Sequence, residues 1–93
     1  MNSNIFLNKL NNLIISIKNE KEAQELLFGL FTQNEIETLK KRWRILEMLN
    51  QGATQRQIAQ DLNVSLCKVT RGAKVLKEKS ILTEFLNERR NNE

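Results

Sequence analysis

The chain has no proline and only three glycines among its 93 residues. Short strands in a small domain are usually joined by turns built on these two residues, because proline fixes φ and glycine reaches positive φ. This chain therefore lacks the turn residues that a β-meander needs, and most of its residues favour helices. The sequence predicts an all-α fold.

The length of the chain leaves room for one hydrophobic core, so we expect a single domain over residues 1–93. No apolar run approaches the ~20 residues that cross a bilayer, and residues 1–6 lack the basic start of a secretory signal. We therefore expect a cytoplasmic protein without a membrane partner.

The residue content argues against an enzyme. Cys67 is the only cysteine and there is no histidine, which removes the usual zinc sites and the histidine-based catalytic triads. The carboxylates and lysines are spaced as on helix surfaces, and no pair of nucleophile and base is evident. We expect neither catalysis nor a bound metal.

Positive charge is concentrated in the middle of the chain. The segment from Leu39 to Lys79 contains ten basic and three acidic residues, a net charge of +7, whereas the segments before and after it carry −2 and −1. Such a block favours a polyanionic partner. The alternative is a solvated helical face.

Apolar side chains at three- and four-residue steps predict about six helices. Thr32 and Glu35 have the spacing of a capping box, and Gly52 is placed to end the helix that this box begins. The apolar stripe of that helix consists of Ile36, Leu39, Trp43, Leu46 and Leu49. We expect a helix over residues 3–18, then one from Thr32 to Gly52, a pair within 54–77, and a last one from Ser80 onward. Between the first two lies a shorter helix that carries Ala23, Leu26, Leu27 and Leu30.

Residues 54–77 have the spacing of a helix-turn-helix. Thr54 and Gln57 form a second capping box, and Ser65 caps the helix that follows the turn. Asn63 lies between the two helices and tolerates the left-handed conformation that such a turn requires.

One face of the second helix in this pair is basic and polar. With Val69, Ala73 and Leu76 facing inward, a step of about 100° per residue defines the opposite side. That side carries Leu66, Cys67, Thr70, Lys74 and Lys77. Such a helix suits the major groove of DNA, with its first residues near the bases and its later lysines near phosphates. The alternative is an ordinary helical hairpin.

Several segments resemble the tryptophan repressor family of bacteria. They are Glu47–Gly52, Thr54–Arg56, Val69–Gly72, Leu76 with Lys77, and Leu82 with Phe85 and Leu86. The resemblance covers about residues 31–86, and Thr70-Arg71-Gly72 within a recognition helix is its most specific part. It implies a transcriptional repressor that binds double-stranded operator DNA.

The resemblance also implies an intertwined homodimer with a shared core and two projecting helix-turn-helix units. The first helix agrees with this, because it is apolar over too much of its circumference for a one-sided surface helix. Its apolar residues are Ile5, Phe6, Leu7, Leu10, Leu13, Ile14, Ile15 and Ile17. A monomer that wraps this helix over its own bundle is the alternative.

The family binds L-tryptophan as a corepressor between two arginines, and Arg42 and Arg71 hold the matching positions. A guanidinium can stack on an indole and also bind a carboxylate. Val75 stands where the family has a serine that holds the amino group of the ligand. The resemblance adds Phe31, Thr32 and Gly72 as further effector contacts.

The expected DNA-binding residues are Lys41, Arg44, Gln55, Arg56, Leu66, Cys67, Lys68, Thr70, Lys74 and Lys77. Two other functions remain open. One is a regulator of the same fold with a different effector or none. The other is a helical protein-interaction module that uses its basic face to bind acidic proteins. Binding of this kind would lack the steep salt dependence of binding to DNA phosphates.

Overall fold

The computed structural model describes residues 1–78 and 80–91, which form six helices and no strand. The helices are α1 (Ser3–Ser16), α2 (Glu20–Leu30), α3 (Gln33–Asn50), α4 (Gln55–Leu62), α5 (Leu66–Lys77) and α6 (Ile81–Asn91). The prediction of an all-α fold with about six helices is therefore confirmed.

The chain divides into two compact units, Met1–Ile36 and Glu37–Glu93. The first unit contains α1, α2 and the first turn of α3, and the second contains the rest of α3 with α4, α5 and α6. A single domain over residues 1–93 stays a prediction.

Asparagine side chains begin the first two helices. Asn2 and Asn19 each accept a hydrogen bond on Oδ1 from the backbone N–H three residues later, at 2.9 Å. Ile17 is extended, so α1 ends at Ser16 instead of continuing to residue 18, and Asn19 is extended as the N-cap of α2. The second helix contains the four apolar residues predicted for it, Ala23, Leu26, Leu27 and Leu30.

The third helix begins with the capping box that the sequence predicts. Glu35 N–H donates to Thr32 Oγ1 at 3.2 Å, and Thr32 N–H donates to Glu35 Oε1 at 2.9 Å. The backbone N–H of Thr32, followed by its hydroxyl, lowers the pKa of Glu35 below its ordinary value. After the helix, Gly52 has a φ of +96°, the left-handed conformation expected of a residue that ends a helix.

The core of the second unit lies where α3, α4 and α5 meet. Ile45, Ile58 and Val69 are its buried members, and the last two have no exposed surface. Half-buried side chains surround them: Met48, Leu49, Ala53, Ala59, Leu62 and Val64. Full burial of an aliphatic side chain contributes about 1.5–3 kcal/mol, so this cluster holds the three helices together.

The buried face of α3 differs in part from the predicted stripe. Leu46 is buried as expected, but the most buried residue of α3 is Ile45, which the stripe omitted. Trp43, which the stripe included, remains partly exposed. The stripe was too narrow because α3 packs against more than one helix.

The fifth helix approaches α3 closely at Gly72, which is buried. A Cβ added to Gly72 would lie 2.9 Å from Ile45 Cγ2 and 3.2 Å from Leu49 Cδ1. Cγ2 of Ile45 is attached directly to a branched Cβ in a buried site, so it cannot move away cheaply. The missing side chain at Gly72 therefore sets the distance between the two helices.

The last helix is tied to the end of α5 by Thr83. Its hydroxyl donates to the carbonyl oxygens of Leu76 at 3.3 Å and Glu78 at 3.4 Å. Ser80 directly precedes α6, as predicted, but its Oγ is buried and has no hydrogen-bond partner among the described residues. The start of α6 was therefore placed correctly, whereas the side chain of Ser80 does not cap it.

Two glycine substitutions are expected to change stability in opposite directions. Gly72→Ala should lower the free energy of unfolding by about 1–3 kcal/mol, because the added methyl group overpacks the α3–α5 contact. Gly29→Ala is the matched control: it lies inside α2, where an added Cβ meets nothing within 4 Å. Alanine favours a helix, so this control should gain up to about 1 kcal/mol.

Urea denaturation followed by circular dichroism measures both effects. A Gly72→Ala protein with the wild-type midpoint would contradict the close approach of α5 to α3.

Candidate nucleic-acid interface

The α4–turn–α5 unit, residues 54–77, is held by caps that the sequence predicts. Gln57 N–H donates to Thr54 Oγ1 at 3.2 Å, and Lys68 N–H donates to Ser65 Oγ at 3.3 Å. Between the helices, Asn63 has φ +53° and ψ +51°, so it adopts the expected left-handed conformation.

The turn between the two helices satisfies the end of α4. Asn63 N–H donates to the carbonyl oxygen of Gln60 at 3.3 Å, and Val64 N–H donates to that of Ala59 at 3.1 Å. These bonds to carbonyls near the end of the helix close the turn tightly. Together with the buried Ile58 and Val69, they give α4 and α5 a fixed mutual orientation.

The side of α5 away from this core is exposed. All of the outward residues expected from helical periodicity are exposed: Leu66, Cys67, Thr70, Lys74 and Lys77. Leu66 is 53% exposed on the first turn of α5. An exposed apolar side chain there suits contact with the methyl group of a thymine.

Positive charge follows α5 at three-residue intervals. The helix has four basic residues and no acidic one, and all four are exposed: Lys68, Arg71, Lys74 and Lys77. Neighbouring like charges at this spacing repel each other. No ion pair neutralises them within the described part of the chain, where the ion pairs lie on α3. An anionic partner would relieve this repulsion.

A side-chain hydrogen bond connects the exposed surfaces of the two helices. Thr70 Oγ1 donates to Gln55 Oε1 at 2.9 Å, across 15 positions in the sequence. The structure thus brings together two residues expected at the DNA surface. Arg56, beside Gln55 on the first turn of α4, is also exposed.

The remaining expected DNA contacts lie on α3. Lys41 and Arg44 are exposed, and Arg44 Nη1 lies 3.6 Å from Glu47 Oε1. Both members of this pair are well exposed to solvent, so the pair contributes little to stability. Arg44 can exchange this carboxylate for a phosphate at small cost.

The expected effector residues are divided between the two units. Arg42, Arg71, Gly72 and Val75 lie in the second unit, and Phe31 and Thr32 lie in the first. Both arginines are exposed, and Val75 is half-buried. Thr32 uses its hydroxyl in the α3 cap, and Phe31 is the half-buried residue that ends α2. The effector role of these six residues stays a prediction.

The side of Gly72 where a Cβ would project faces α3. Ile45 and Leu49 occupy this space, so here the glycine serves helix packing. Sequence reasoning assigned Gly72 only to the approach of a ligand. The contact with α3 was missed because it depends on how two helices cross.

An aromatic cluster on α3 and α6 was also missed. The rings of Trp43 and Phe85 meet edge to face, with centroids 5.8 Å apart and planes at 63°. The guanidinium carbon of Arg89 lies 5.1 Å from the centroid of the Phe85 ring. The four-residue spacing of Phe85 and Arg89 was a usable sequence signal, whereas the contact with Trp43 required the fold.

The described residues offer neither a membrane span nor a metal site. No helix there is both long and apolar enough to cross a membrane. No group of three or more potential metal ligands occurs in the same part of the chain.

Comparison with known proteins identifies relatives over most of the chain. The Trp repressor protein family model matches residues 6–89. A protein of Vibrio campbellii named Trp operon repressor homolog is 42% identical over 69 residues, which cover 73% of this chain and 69% of that protein.

Two further relatives carry the same name. The protein of Xylella fastidiosa strain M23 is 41% identical over 65 residues, which cover 69% of this chain and 70% of that protein. The protein of Aliivibrio salmonicida is 40% identical over 80 residues, which cover 80% of this chain and 74% of that protein. No solved structure matches the chain. The family model and these identities show that the chain belongs to the Trp repressor protein family.

Proposed function

We propose that this protein is a transcriptional repressor that binds operator DNA as a homodimer, with L-tryptophan as its corepressor. The observation that carries the proposal is the exposed face of α5. The helix carries four exposed cations and no anion, with Lys74 and Lys77 on its outward side, and its inward side is fixed against α3 and α4. The names of the relatives, Trp operon repressor homolog, support the regulatory role.

In this proposal α5 enters the major groove. The first turn of α5, with Leu66 and Cys67, faces base edges, and the later Lys74 and Lys77 bind phosphates. Arg56 at the start of α4 is exposed beside this surface and has the forked donors that suit a guanine. Specificity then comes from the first turn of α5 and from Arg56, and most of the affinity comes from the lysines.

The homodimer is supported by the first unit. Neither α1 nor α2 has a buried residue, although α1 is rich in large apolar side chains. The exposed ones are Ile5, Phe6, Leu7, Leu13, Ile14 and Ile15. Contiguous apolar surface of this kind marks an interaction site. We propose that a second copy of the chain covers this surface, because two symmetric helix-turn-helix units suit a repressor that binds paired half-sites.

The corepressor site is proposed between Arg42 on α3 and Arg71 on α5. Both guanidiniums are exposed, so each is available to stack on an indole face and to bind a carboxylate. A ligand between the two helices would fix the angle at which α5 leaves α3. Since an effector shifts an equilibrium only by its differential affinity, L-tryptophan must bind more tightly to the DNA-bound state.

Two substitutions separate base reading from phosphate binding. Arg56→Ala should weaken binding to a preferred duplex by about 1–3 kcal/mol and change random DNA less, because a bidentate base contact is lost. Lys77→Ala should weaken binding to both duplexes alike and reduce the salt slope by about one. Lys21→Ala, an exposed charge on α2, is the control.

Fluorescence anisotropy with L-tryptophan present, at several salt concentrations, measures these effects. Equal losses from Arg56→Ala on preferred and random duplexes would remove its base-reading role. A weak salt dependence of the wild type would favour the protein-interaction module instead.

If the protein is a dimer, it should sediment at micromolar concentration with twice the mass of one chain. Ile14→Glu should shift the protein to monomer, because it puts a charge into the apolar surface of α1. Asn11→Glu adds the same charge at an exposed polar position of α1 and should weaken the dimer less. A wild-type protein that sediments as a sharp monomer would contradict the dimer.

The effector is tested by calorimetry with L-tryptophan, with and without DNA. The Arg71→Leu protein should stay folded, since Arg71 is exposed. It should no longer respond to L-tryptophan, because leucine has neither the planar group that stacks on the indole nor the paired donors that bind the carboxylate. Val75→Ser should strengthen binding by about 0.5–1.5 kcal/mol by adding a hydrogen-bond partner for the amino group. An Arg71→Leu protein that still gains DNA affinity from L-tryptophan would place the effector elsewhere.

A further inference from the structure

The hydrogen bond between Thr70 and Gln55 joins two exposed side chains on different helices. Gln55 is the first residue of α4, and Thr70 lies on the outward side of α5. Exposed polar side chains can bond to water instead, so this bond is not required to satisfy buried groups. Its effect is to fix the direction of a side-chain amide at the proposed DNA surface.

The position of Gln55 Oε1, 2.9 Å from Thr70 Oγ1, shows which end of the amide is presented. The Thr70 hydroxyl donates its proton, so Oε1 of Gln55 is the accepting atom and is held toward α5. The amide nitrogen, Nε2, lies on the other side of the same planar group and carries two donor hydrogens. Gln55 therefore presents an NH₂ donor on the side away from Thr70.

The position of Gln55 indicates the matching acceptor. In a helix-turn-helix the first helix crosses the sugar-phosphate backbone, while the second enters the groove. Phosphate oxygens only accept hydrogen bonds, so they match an amide that presents its donors. We infer that Thr70 is a positioning residue that holds the amide of Gln55 with its NH₂ group toward a DNA phosphate.

This inference rests on the proposed function, DNA binding by α4 and α5, and adds a sequence-independent clamp to it. Because the buried core fixes α4 against α5, a phosphate held by Gln55 on α4 also fixes how deeply α5 enters the groove. The clamp contributes affinity and register but does not read bases.

The test uses a duplex enriched from a random pool by the wild-type protein in the presence of L-tryptophan, together with a shuffled duplex, and all binding is measured with L-tryptophan present. Thr70→Val keeps the shape of the side chain without its hydroxyl, and Gln55→Ala removes the amide. Each should weaken binding to both duplexes by the same factor, about 3- to 10-fold, the value of one hydrogen bond. Thr70→Ser keeps the hydroxyl and should bind within about twofold of wild type.

A double variant tests whether Thr70 acts through Gln55. With both substitutions, binding should be no weaker than with Gln55→Ala alone, because Thr70 has no amide left to position. Gln60→Ala, which removes another exposed glutamine of α4, is the matched control and should bind as wild type.

Replacing single phosphates of the enriched duplex by neutral methylphosphonates locates the contact. At one phosphate in each half-site, the replacement should abolish the difference between wild type and Gln55→Ala. Losses that multiply in the double variant, or losses confined to the enriched duplex, would overturn the positioning role while DNA binding stands. A wild-type protein that enriches no duplex would overturn the proposed function and the inference together.

Discussion

The orientation of the basic helix α5 depends on three aliphatic side chains, one from each of α3, α4 and α5. Ile45, Ile58 and Val69 are buried against one another at the joint of these helices. The repelling cations of α5 do not help to hold the helix in place, and the polar bonds on its exposed side compete with water. The apolar contact therefore fixes the angle at which the charged face is presented. Gly72 permits it by letting α5 come close to α3.

The local features of this fold could be predicted from the sequence. Thr32, Thr54 and Ser65 cap helices, and Gly52 and Asn63 adopt left-handed conformations, as their residue types and spacing indicate. Each of these features depends on residues only three or four positions apart. The same short range explains why the exposed side of α5 followed from helical periodicity alone.

Contacts between helices could not be predicted in the same way. The approach of Gly72 to Ile45 and the bond from Thr70 to Gln55 depend on the crossing angles of helices, about which periodicity gives no information. The candidate DNA surface was therefore predicted residue by residue, but the bond that joins its two helices was not. The effector residues were assigned by resemblance, because nothing in their local pattern distinguishes them from other exposed arginines.

The aromatic cluster gives the protein an internal optical probe. Trp43 is the only tryptophan of the chain, and it is 38% exposed with its ring against Phe85. The emission of an indole depends on its exposure to water and on the groups around it. A displacement of α6 from α3 would remove Phe85 from Trp43 and increase the contact of the indole with water. The unlabelled protein therefore reports the state of the α3–α6 joint through a single fluorophore at a known position.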